Sequence, residues 1–598
     1  MYGAFAQLDG SHPWREVSPD GYQDYQARYR PGGRVVYFNF PLAAELGLVR
    51  SNHPKRMNRR LEKAILDTFA LQIINEYDLT HPETWAGTKV KPGKYMATRY
   101  LQLQHKSRSG RTSGDGRAIW NGTIATPTLT FDVSSRGTGA TCLCPGAQIA
   151  KGPLRTGDDR VGYGSGTADL DEMLGTAVMS EIFYRQGYPT ERTLTVIDFG
   201  DGTAIGVRTA PNLIRPAHIF RYLKQGRHRE LKRSFDYFLR RQTDNGFWKL
   251  PTDARGKYRK AVRYLARSYG KMAALLEEEY IFNWLSWDGD NLLASGAILD
   301  YGSVRQFAAK HDKYRYDDVD RWSSSLTEQR YWARELIRAF AQAADFVLTS
   351  RKRNLRRFRR APCLRTYDRA FDRERDRRFL WRLGFMPGQI DRLMRRARRE
   401  ITDLRRALVF FEDLKISKGL EAIGDGVTHR PVFLIRNLLR FLPEYYLSEC
   451  GGRRGAMMPP EMFCRTMAAS YVTSRDVRLT KTRQARARNF QACYQRLLVK
   501  AGPYRRVLES IRRRSAVINF EHRMTGDAII HITENVIAHK DRLDFDELQA
   551  AIDRFIESQV LVPGAWKPIE GRELKRRGCK SRLLRRVQKE LEECKETV

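Results

Sequence analysis

Long hydrophobic runs are absent from this chain of 598 residues, although 41% of its residues are hydrophobic. No apolar stretch approaches the roughly 20 residues that a helix needs to cross a bilayer, so no membrane span is expected. The first ten residues have neither the basic start nor the apolar core of a secretion signal. The sequence therefore predicts a cytoplasmic protein.

Cysteines are too few and too scattered for a disulfide framework. There are eight, and only Cys142 and Cys144 lie close together in the sequence. No paired Cys-x-x-Cys or Cys/His spacing supports a zinc site. We expect reduced cysteines, with one incidental or redox-active disulfide left open.

Acidic residues are also scarce relative to basic ones, 69 against 107, which gives a net charge of +38. This excess favours a polyanionic partner, whether nucleic acid, an anionic membrane or an acidic protein surface. Arginines concentrate in residues 351–406, where aromatic residues are interleaved with them. That pattern fits a solvated helical face as well as a surface for stacked bases. Nucleic acid or another polyanion, bound by the basic C-terminal region, is therefore one predicted partner.

The predicted secondary structure changes along the chain. Short β-type runs broken by glycine-rich turns fill residues 95–201, and helical periodicity dominates from residue 216 onwards. The predicted elements include helices over Leu61–Glu76 and Asp169–Gln186, and strands over Ala97–Gln104, Ala118–Thr123, Leu129–Val133 and Arg192–Phe199. The predicted divisions are an N-terminal segment 1–80, a β-rich lobe 81–215, a helical lobe 216–350 and a basic helical region 351–598. The fold class is α+β.

A hairpin is predicted near residue 295, with Leu292–Ala294 and Ala297–Leu299 as its arms. A two-residue turn places Asn291 opposite Asp300, with Asp290 beside them. Amide and carboxylate oxygens suit Mg²⁺, which takes its other ligands from water and nucleotide phosphates. A structural hairpin with polar ends is the alternative.

Two glycine-rich segments precede the hairpin in the sequence. Gly114-Asp-Gly-Arg117 fits a plain β-turn, or a loop whose glycines let the backbone approach phosphates that Arg117 binds. Gly162-Tyr-Gly-Ser-Gly166 precedes a predicted helix, whose N-terminus and amides suit an anion. A flexible connector is the alternative for this second segment.

These motifs occur in one order. Asp288-Gly-Asp-Asn291 is followed by Asp300-Tyr-Gly302, and upstream lie Gly114-Asp-Gly-Arg117 and two arginines seven residues apart, Arg208 and Arg215. In this order and at this spacing, the chain resembles the selenoprotein O (SelO, YdiU-type) family of kinase-like protein adenylyltransferases. The resemblance runs from about residue 97 to residue 317.

The chain departs from the family at the lysine that contacts phosphate. The family's Leu-Lys-Gly-Ala-Gly strand reads Ser-Arg136-Gly-Thr-Gly here, so a planar guanidinium group replaces a point charge. The glutamate that pairs with this lysine is not at its family position, which leaves Glu172 and Glu181 as possible partners of Arg136. The family's second Gly-Asp-Gly-Arg motif reads Gly164-Ser-Gly-Thr167.

The resemblance implies a bilobal protein-kinase-like fold, with a β-rich N-terminal lobe, a helical C-terminal lobe and an Arg-rich helical C-terminal extension. It implies AMP transfer from ATP to a Ser, Thr or Tyr hydroxyl group of an acceptor protein, with Mg²⁺ or Mn²⁺. Asp290 is then the catalytic base, and Asn291 and Asp300 bind the metal. The implied nucleotide-binding residues are Gly114, Gly116, Arg117, Arg136, Ser165, Gly166, Arg208 and Arg215.

Two other functions stay open. A kinase would transfer the γ-phosphoryl group from the same pocket to a protein or a small molecule. A catalytically degenerate member would bind nucleotide or nucleic acid without transfer, as the altered lysine position and the high positive charge suggest.

Overall fold

A computed structural model of the protein describes residues 2–103, 105–315, 323–417, 421–423 and 426–594. Within these residues, eight strands form one antiparallel sheet in the order β2-β7-β8-β6-β5-β4-β1-β3. The strands are β1 (Tyr22–Tyr29), β2 (Arg34–Phe38), β3 (Leu71–Ile74), β4 (Val90–Thr98), β5 (Ala118–Ala125), β6 (Thr130–Arg136), β7 (Arg192–Asp198) and β8 (Ala204–Ala210).

Short strands pair two by two elsewhere in the described chain: β9 (Ile281–Phe282) with β10 (Arg305–Gln306), β11 (Tyr314–Arg315) with β12 (Ser323–Ser324), and β13 (Glu421–Ile423) with β14 (Gly426–Thr428). The helices around the sheet are α1 (Trp14–Val17), α2 (Phe40–Glu45), α3 (Arg59–Phe69), α4 (Glu76–Thr80), α5 (Pro145–Ala150) and α6 (Leu170–Arg185).

A helical lobe follows the sheet. It contains α7 (Pro216–Gln225), α8 (His228–Asp244), α9 (Ala254–Glu278) and α10 (Leu326–Thr349). The C-terminal region contains α11 (Pro362–Arg382), α12 (Pro387–Arg396), α13 (Arg398–Glu412), α14 (Ile435–Ser448), α15 (Pro460–Thr466), α16 (Lys481–Ala501), α17 (Tyr504–Ile518), α18 (Ala528–His539), α19 (Phe545–Gln559), α20 (Gly571–Lys575) and α21 (Cys579–Glu593).

The predicted helix over 61–76 is correct only in its first part. The side chain of Asn58 caps the start of α3 by accepting hydrogen bonds from two backbone N–H groups. The helix ends at Phe69, and Leu71–Ile74 pair with β1 as strand β3. Apolar spacing alone does not separate the last turn of a helix from a short buried strand. The strand predicted over 97–104 is also displaced, because β4 ends at Thr98.

Residues 1–80 contribute three strands to the sheet. β2 pairs with β7, and β1 lies between β4 and β3. The segment before β1 is also held against the sheet, by a buried charge cluster. Asp132 on β6 lies 3.2 Å from Nε2 of His12 in this segment and 2.7 Å from Nη2 of Arg241 on α8. The N-terminal residues therefore belong structurally to the β-rich lobe.

The largest apolar cluster joins the sheet and α6 to the helices of the second lobe. Another cluster fills the interior of residues 379–511. Buried ion pairs link this second cluster to the end of α9, where Arg436 Nη2 lies 2.9 Å from Glu279 Oε2. The predicted α+β class and bilobal arrangement are confirmed. Among the described helices, none combines the length and apolarity that crossing a membrane requires. The eight cysteines all lie in the described residues, and no disulfide bond joins any of them.

Candidate active site

One cavity between the sheet and the helical lobe gathers side chains from motifs that are far apart in sequence. Its lining comprises Tyr100, Gln102, Gly114, Asp115, Gly116, Arg117, Ala118, Arg136, Cys144, Pro145, Gly166, Arg208, Arg215, Asp290, Asn291 and Asp300. All the predicted catalytic, metal-binding and nucleotide-binding residues are among these except Ser165. The Ser165 hydroxyl group instead forms a hydrogen bond of 2.8 Å with Thr167 Oγ1.

Neighbouring strands β6 and β8 carry Arg136 and Arg208 into the cavity. Both side chains are about 5% exposed. Nε and Nη1 of Arg208 have no hydrogen-bond partner among the described residues, and Glu191 Oε2 lies 3.6 Å away. Burial lowers the pKa of Arg208, and the Glu191 carboxylate offsets part of this effect. A buried guanidinium group with unsatisfied N–H groups suits a bound anion such as phosphate.

Arg215 lies at the N-terminus of α7 and ties the hairpin to the sheet side of the cavity. Its Nη1 donates a hydrogen bond of 2.5 Å to the carbonyl oxygen of Asp290, and its guanidinium group lies 4.6 Å from the centre of the Tyr100 ring. Burial lowers the pKa of Arg215, but nearby Tyr100 and the carboxylates of Asp115 and Asp300 outweigh this effect and raise it. Its charge is therefore permanent.

Gly114 and Gly116 are required by close packing of the protein on itself. A Cβ atom on Gly114 would lie 2.0 Å from the carbonyl oxygen of Thr98, and one on Gly116 would lie 2.7 Å from Cys144 Cα. The sequence left two interpretations of these glycines open, a plain β-turn or a loop whose backbone approaches phosphates. The contacts instead explain them by the tight path of the chain at the rim of the cavity.

The Arg117 side chain forms a bidentate ion pair with Glu172 on α6, at 2.6 and 2.8 Å. Arg136 Nη1 lies 3.9 Å from the same Glu172 and 3.2 Å from Asp300 Oδ1. Of the two glutamates left open by the sequence, Glu172 is the one near Arg136. Arg136 points to the cavity, but its shortest ion pair is with a predicted metal ligand.

Glu181, the other possible partner of Arg136 that the sequence left open, pairs with other arginines instead. Its carboxylate lies 3.1 Å from Arg192 Nη2 and 2.8 Å from Arg185 Nε, and it accepts a 2.8 Å hydrogen bond from Asn39. Glu181 is nine residues beyond Glu172, two and a half turns along α6. It therefore faces a different part of the lobe.

The predicted hairpin is wrong in register by one residue. Leu292 pairs with Ile298 and not with Leu299, in a single antiparallel bridge. The N–H group of Leu293 donates to the carbonyl oxygen of Ala297 at 3.0 Å. The turn therefore contains three residues instead of two.

The N–H group of Ala294 explains this shift, because it donates to the carbonyl oxygen of Ile214 at 2.7 Å and is not available across the turn. Continuing the observed register places Asp290, and not Asn291, opposite Asp300. All three side chains still line the cavity. The predicted residues thus meet at one site by a different pairing.

The pKa values of two carboxyl groups in the cavity are shifted in opposite directions. Burial, together with the negative charge of Asp288, raises the pKa of Asp290 well above its ordinary value. Burial also disfavours the charged form of Asp300, but the guanidinium groups of Arg136 and Arg215 outweigh it and lower that pKa. Two carboxyl groups whose pKa values are shifted in opposite directions are typical of sites where one accepts or donates a proton and the other stays ionised.

The backbone at both carboxyl groups is constrained. Gly289 has φ +68°, and a Cβ atom there would lie 2.7 Å from Pro216 Cβ at the start of α7. Asp300 also has a positive φ of 67°, which is uncommon for a residue with a side chain. Its N–H group donates to Glu191 Oε1 at 3.0 Å. Strained conformations of this kind concentrate at functional sites.

No group of three or more His, Cys, Asp and Glu side chains is gathered for a metal ion within the described residues. A site that binds Mg²⁺ together with nucleotide phosphates needs only one or two protein oxygen ligands. Asn291 and Asp300 supply an amide and a carboxylate in a cavity that also contains four arginines. This donor set fits Mg²⁺ or Mn²⁺, and metal binding stays a prediction.

Several lining residues were not predicted as site residues. Asp115 is part of a quoted motif, and its carboxylate accepts hydrogen bonds from Thr98 and Trp120. Tyr100 and Gln102 have no sequence signal of their own. Glu191 does not line the cavity, but it accepts a hydrogen bond from the N–H group of Asp300 and lies 3.6 Å from Arg208. It belongs to Gly187-Tyr-Pro-Thr-Glu-Arg192, which resembles a motif of the family, yet no role was predicted for Glu191 itself.

An antiparallel sheet, a helical lobe and an arginine- and aspartate-lined cavity between them define a kinase-like bilobal protein. The chain is similar in sequence to curated proteins of the selenoprotein O family. It is 29% identical over 229 residues to the protein nucleotidyltransferase YdiU of Halalkalibacterium halodurans, a match that covers 36% of this chain and 40% of the relative. The proteins of the same name from Clostridium perfringens and Clostridium botulinum are 27% and 25% identical over 292 and 302 residues, or 45% and 48% of this chain and 47% and 51% of theirs.

The chain therefore spans about half the length of the curated relatives it matches. No family model matches it. Residue Asp317, where the resemblance found in the sequence ends, lies outside the described residues.

Proposed function

We propose that the protein is a nucleotidyltransferase that transfers AMP from ATP to a hydroxyl group of an acceptor protein. The single observation that carries this proposal is the convergence of the predicted residues, apart from Ser165, on one cavity with buried arginines and oppositely perturbed carboxyl groups. The name of the relatives, protein nucleotidyltransferase, supports the same reaction class.

In this proposal the arginines hold the triphosphate. Arg208 offers unsatisfied N–H groups, and Arg136, Arg117 and Arg215 add positive charge around the same cavity. Phosphoryl and nucleotidyl transfer depend mainly on positioning and charge neutralisation, which such groups provide. A divalent metal bound at Asn291 and Asp300 supplies further neutralisation of the phosphates when present.

Asp290 takes the proton from the acceptor hydroxyl group as that oxygen attacks the α-phosphorus, and pyrophosphate leaves. Its raised pKa makes it a stronger base than an ordinary aspartate. The Arg215 hydrogen bond to its carbonyl oxygen fixes the backbone from which the carboxyl group projects. The acceptor protein and a cytoplasmic location remain parts of the proposal.

The test uses ATP labelled separately at the α- and the γ-phosphate, with Mg²⁺ or Mn²⁺, the full chain and a protein acceptor mixture. We expect protein labelling from α-labelled ATP and none from γ-labelled ATP. Asp290→Asn should slow the labelling about 10²- to 10⁴-fold, whereas Asp244→Asn, which changes an exposed acid at the end of α8, should leave it unchanged. Labelling only from the γ-phosphate would establish a kinase instead.

A second candidate is a degenerate member that binds nucleotide without transfer. The specific observation in its favour is the 3.2 Å ion pair between Arg136 and Asp300, because a guanidinium group that cannot lose its charge occupies a predicted metal ligand. Saturable nucleotide binding with no labelling from either phosphate, across acceptors and both metals, would favour this candidate.

A further inference from the structure

Two rows of basic side chains line a groove in the second half of the chain. α9 contributes Arg259, Arg263, Arg267 and Lys271, and α11 contributes Arg365, Arg369, Arg373 and Arg377. Each row repeats every fourth residue, so each follows one face of its helix. The groove encloses about 1350 Å³ and shares no lining residue with the candidate active site.

Close packing of the two helices forms the floor of this groove. A Cβ atom on Gly270 would lie 2.7 Å from the carbonyl oxygen of Tyr367 and 3.0 Å from Ala370 Cβ. Further along, Arg382 Nη1 donates to the carbonyl oxygen of Glu278 at 3.2 Å. The contact at Glu278 and Arg382 lies further towards the C-terminus of both helices than the contact at Gly270 and Ala370. α9 and α11 therefore run in the same direction, and the two basic rows lie side by side.

The positive charge of the groove is not neutralised from within the described protein. Seven of its eight basic residues are exposed and make no ion pair with a described residue; the eighth, Arg377, lies 2.6 Å from Asp391. The acidic residues at the groove are already engaged, Asp368 with Arg334 and Glu374 with Arg378. Like charges four residues apart destabilise a helix, so the rows oppose folding instead of supporting it.

The chemistry of the rows favours phosphodiester groups. Seven of the eight residues are arginines, whose planar forks bind two phosphate oxygens at once. Successive residues in a row are about 6 Å apart along the helix, so a row extends about 18 Å and faces several consecutive phosphates of an extended strand. Packed helix axes are about 8–10 Å apart, which leaves room between the rows for one strand but not for a duplex.

We propose that the groove between α9 and α11 binds the backbone of single-stranded nucleic acid. RNA and DNA share the phosphodiester chemistry on which the proposal rests. An anionic membrane is flat and contacts only the outermost side chains, whereas a flexible strand follows the concave surface between the rows. The binding is electrostatic and tolerant of sequence, as is typical of single-strand sites that follow the backbone.

The test measures fluorescence anisotropy of labelled 20-nucleotide U-rich RNA and T-rich DNA with the full chain at several salt concentrations. The groove variant is Arg263→Gln/Arg267→Gln/Arg369→Gln. The matched control is Arg488→Gln/Arg513→Gln/Arg582→Gln, which removes three exposed arginines from α16, α17 and α21 and changes the net charge equally. Thermal unfolding verifies that both variants are folded.

We expect the groove variant to lose at least tenfold in affinity at about 0.1 M salt and the control less than twofold. Each lost phosphate contact flattens the slope of log affinity against log salt by about 0.7 for a single strand, so the slope changes by about 2. The RNA and DNA arms identify the preferred strand.

Equal losses in both variants would show diffuse attraction to the net charge and overturn the site. Tighter binding of a duplex of the same length, or groove-dependent binding of phosphatidylserine vesicles without binding of either strand, would also overturn it. Label transfer from ATP in the groove variant reports separately on the proposed enzyme activity. Failure of one proposal is thereby distinguished from failure of the other.

Discussion

The cavity and the groove are both built mainly from arginine, in opposite physical settings. In the cavity, Arg136 and Arg208 are about 5% exposed and face carboxylates on other elements. In the groove, Arg263 and Arg369 are exposed and face other arginines. The same side chain is thus held by the protein in one region and presented to solvent in the other.

This difference decides what each set can do. A buried charge pays a desolvation cost that only paired or hydrogen-bonded groups offset, so a buried arginine is fixed in position before a ligand arrives. An exposed arginine keeps its hydration and mobility, and its interactions are screened within about 10 Å at 0.1 M salt. The cavity is suited to placing one small anion accurately, and the groove to holding a long anion loosely.

Among substitutions in the cavity, removal of the proposed base is expected to have the largest effect on the rate of transfer. Asp290→Asn should lower the rate of AMP transfer about 10²- to 10⁴-fold, the usual contribution of a general base. Nucleotide affinity should change little, because Arg215 contacts the carbonyl oxygen and not the carboxyl group. Steady-state label transfer and calorimetric titration of nucleotide measure the two quantities separately.

Two neighbouring variants serve as comparisons for this prediction. Asp300→Ala should remove the metal dependence of nucleotide binding, and Asn291→Ala should weaken it less, because a carboxylate is the stronger ligand. A full transfer rate in Asp290→Asn, with normal metal dependence, would mean that another group takes the proton.

A buried charge outside the cavity should govern stability instead of activity. Asp132 is fully buried against Arg241 and His12, and its second oxygen accepts a 2.8 Å hydrogen bond from the N–H group of Leu213. Asp132→Ala leaves the buried Arg241 charge without its ion-pair partner, so it should lower the free energy of unfolding by about 3–5 kcal/mol. Urea denaturation measures the loss, and Asp244→Asn serves as the exposed control.

The same cluster predicts a pH dependence. Burial alone would raise the pKa of Asp132, but Arg241 and the hydrogen bond from His12 outweigh it and lower that pKa. Its stabilisation is therefore present above about pH 4, near the ordinary aspartate pKa, and is lost as pH falls through the lowered folded-state value. An Asp132→Asn protein that shows the same acid-induced loss as the parent would contradict this assignment.

Most of the cavity could be predicted from the sequence because its residues belong to short motifs with fixed order. Asp290, Asn291 and Asp300 converge even though the predicted register was wrong by one residue. That register depended on the hydrogen bond between Ala294 and Ile214, a long-range contact that no local pattern encodes. The choice between Glu172 and Glu181 likewise depended on which face of α6 meets the sheet.

The groove could not be predicted as a groove. The sequence marked residues 351–406 as rich in arginine, and this segment contains the row on α11. The row on α9 lies about a hundred residues earlier, in a basic stretch whose pairing with α11 no local pattern encodes. Only the close approach at Gly270 brings Arg267 beside Arg369. Strand β3 was missed for the same reason, since its pairing with β1 outweighs a local pattern that also fits a helix.

Arg136 tests whether a cavity arginine acts on the ligand or on the fold. Arg136→Ala should weaken nucleotide binding about tenfold or more, since hydrogen bonds to charged groups contribute about 1.5–3 kcal/mol. Arg136→Lys restores the family's residue at this position and should retain most of the affinity. Calorimetric titration with nucleotide and Mg²⁺ measures both. A rise in the transfer rate in Arg136→Lys would favour the view that the Arg136–Asp300 ion pair suppresses catalysis.

The smallest expected effect separates the two arginine sets most directly. Arg263 lies four residues from both Arg259 and Arg267 on α9 and makes no ion pair with a described residue. Arg263→Gln removes two like-charge repulsions, each of about 0.2–0.5 kcal/mol at low salt. The free energy of unfolding should therefore rise by a few tenths of a kcal/mol, whereas loss of a buried arginine lowers it.

Screening provides the control for this last prediction. At about 1 M salt the Debye length falls to about 3 Å, so the gain from Arg263→Gln should disappear, while the cost of Asp132→Ala should persist because its partners are buried. Denaturation at low and high salt measures both. A loss of stability in Arg263→Gln at low salt would mean that this side chain already has a stabilising partner within the protein. The groove would then resemble the cavity, and its charge would not be free to hold a nucleic-acid backbone.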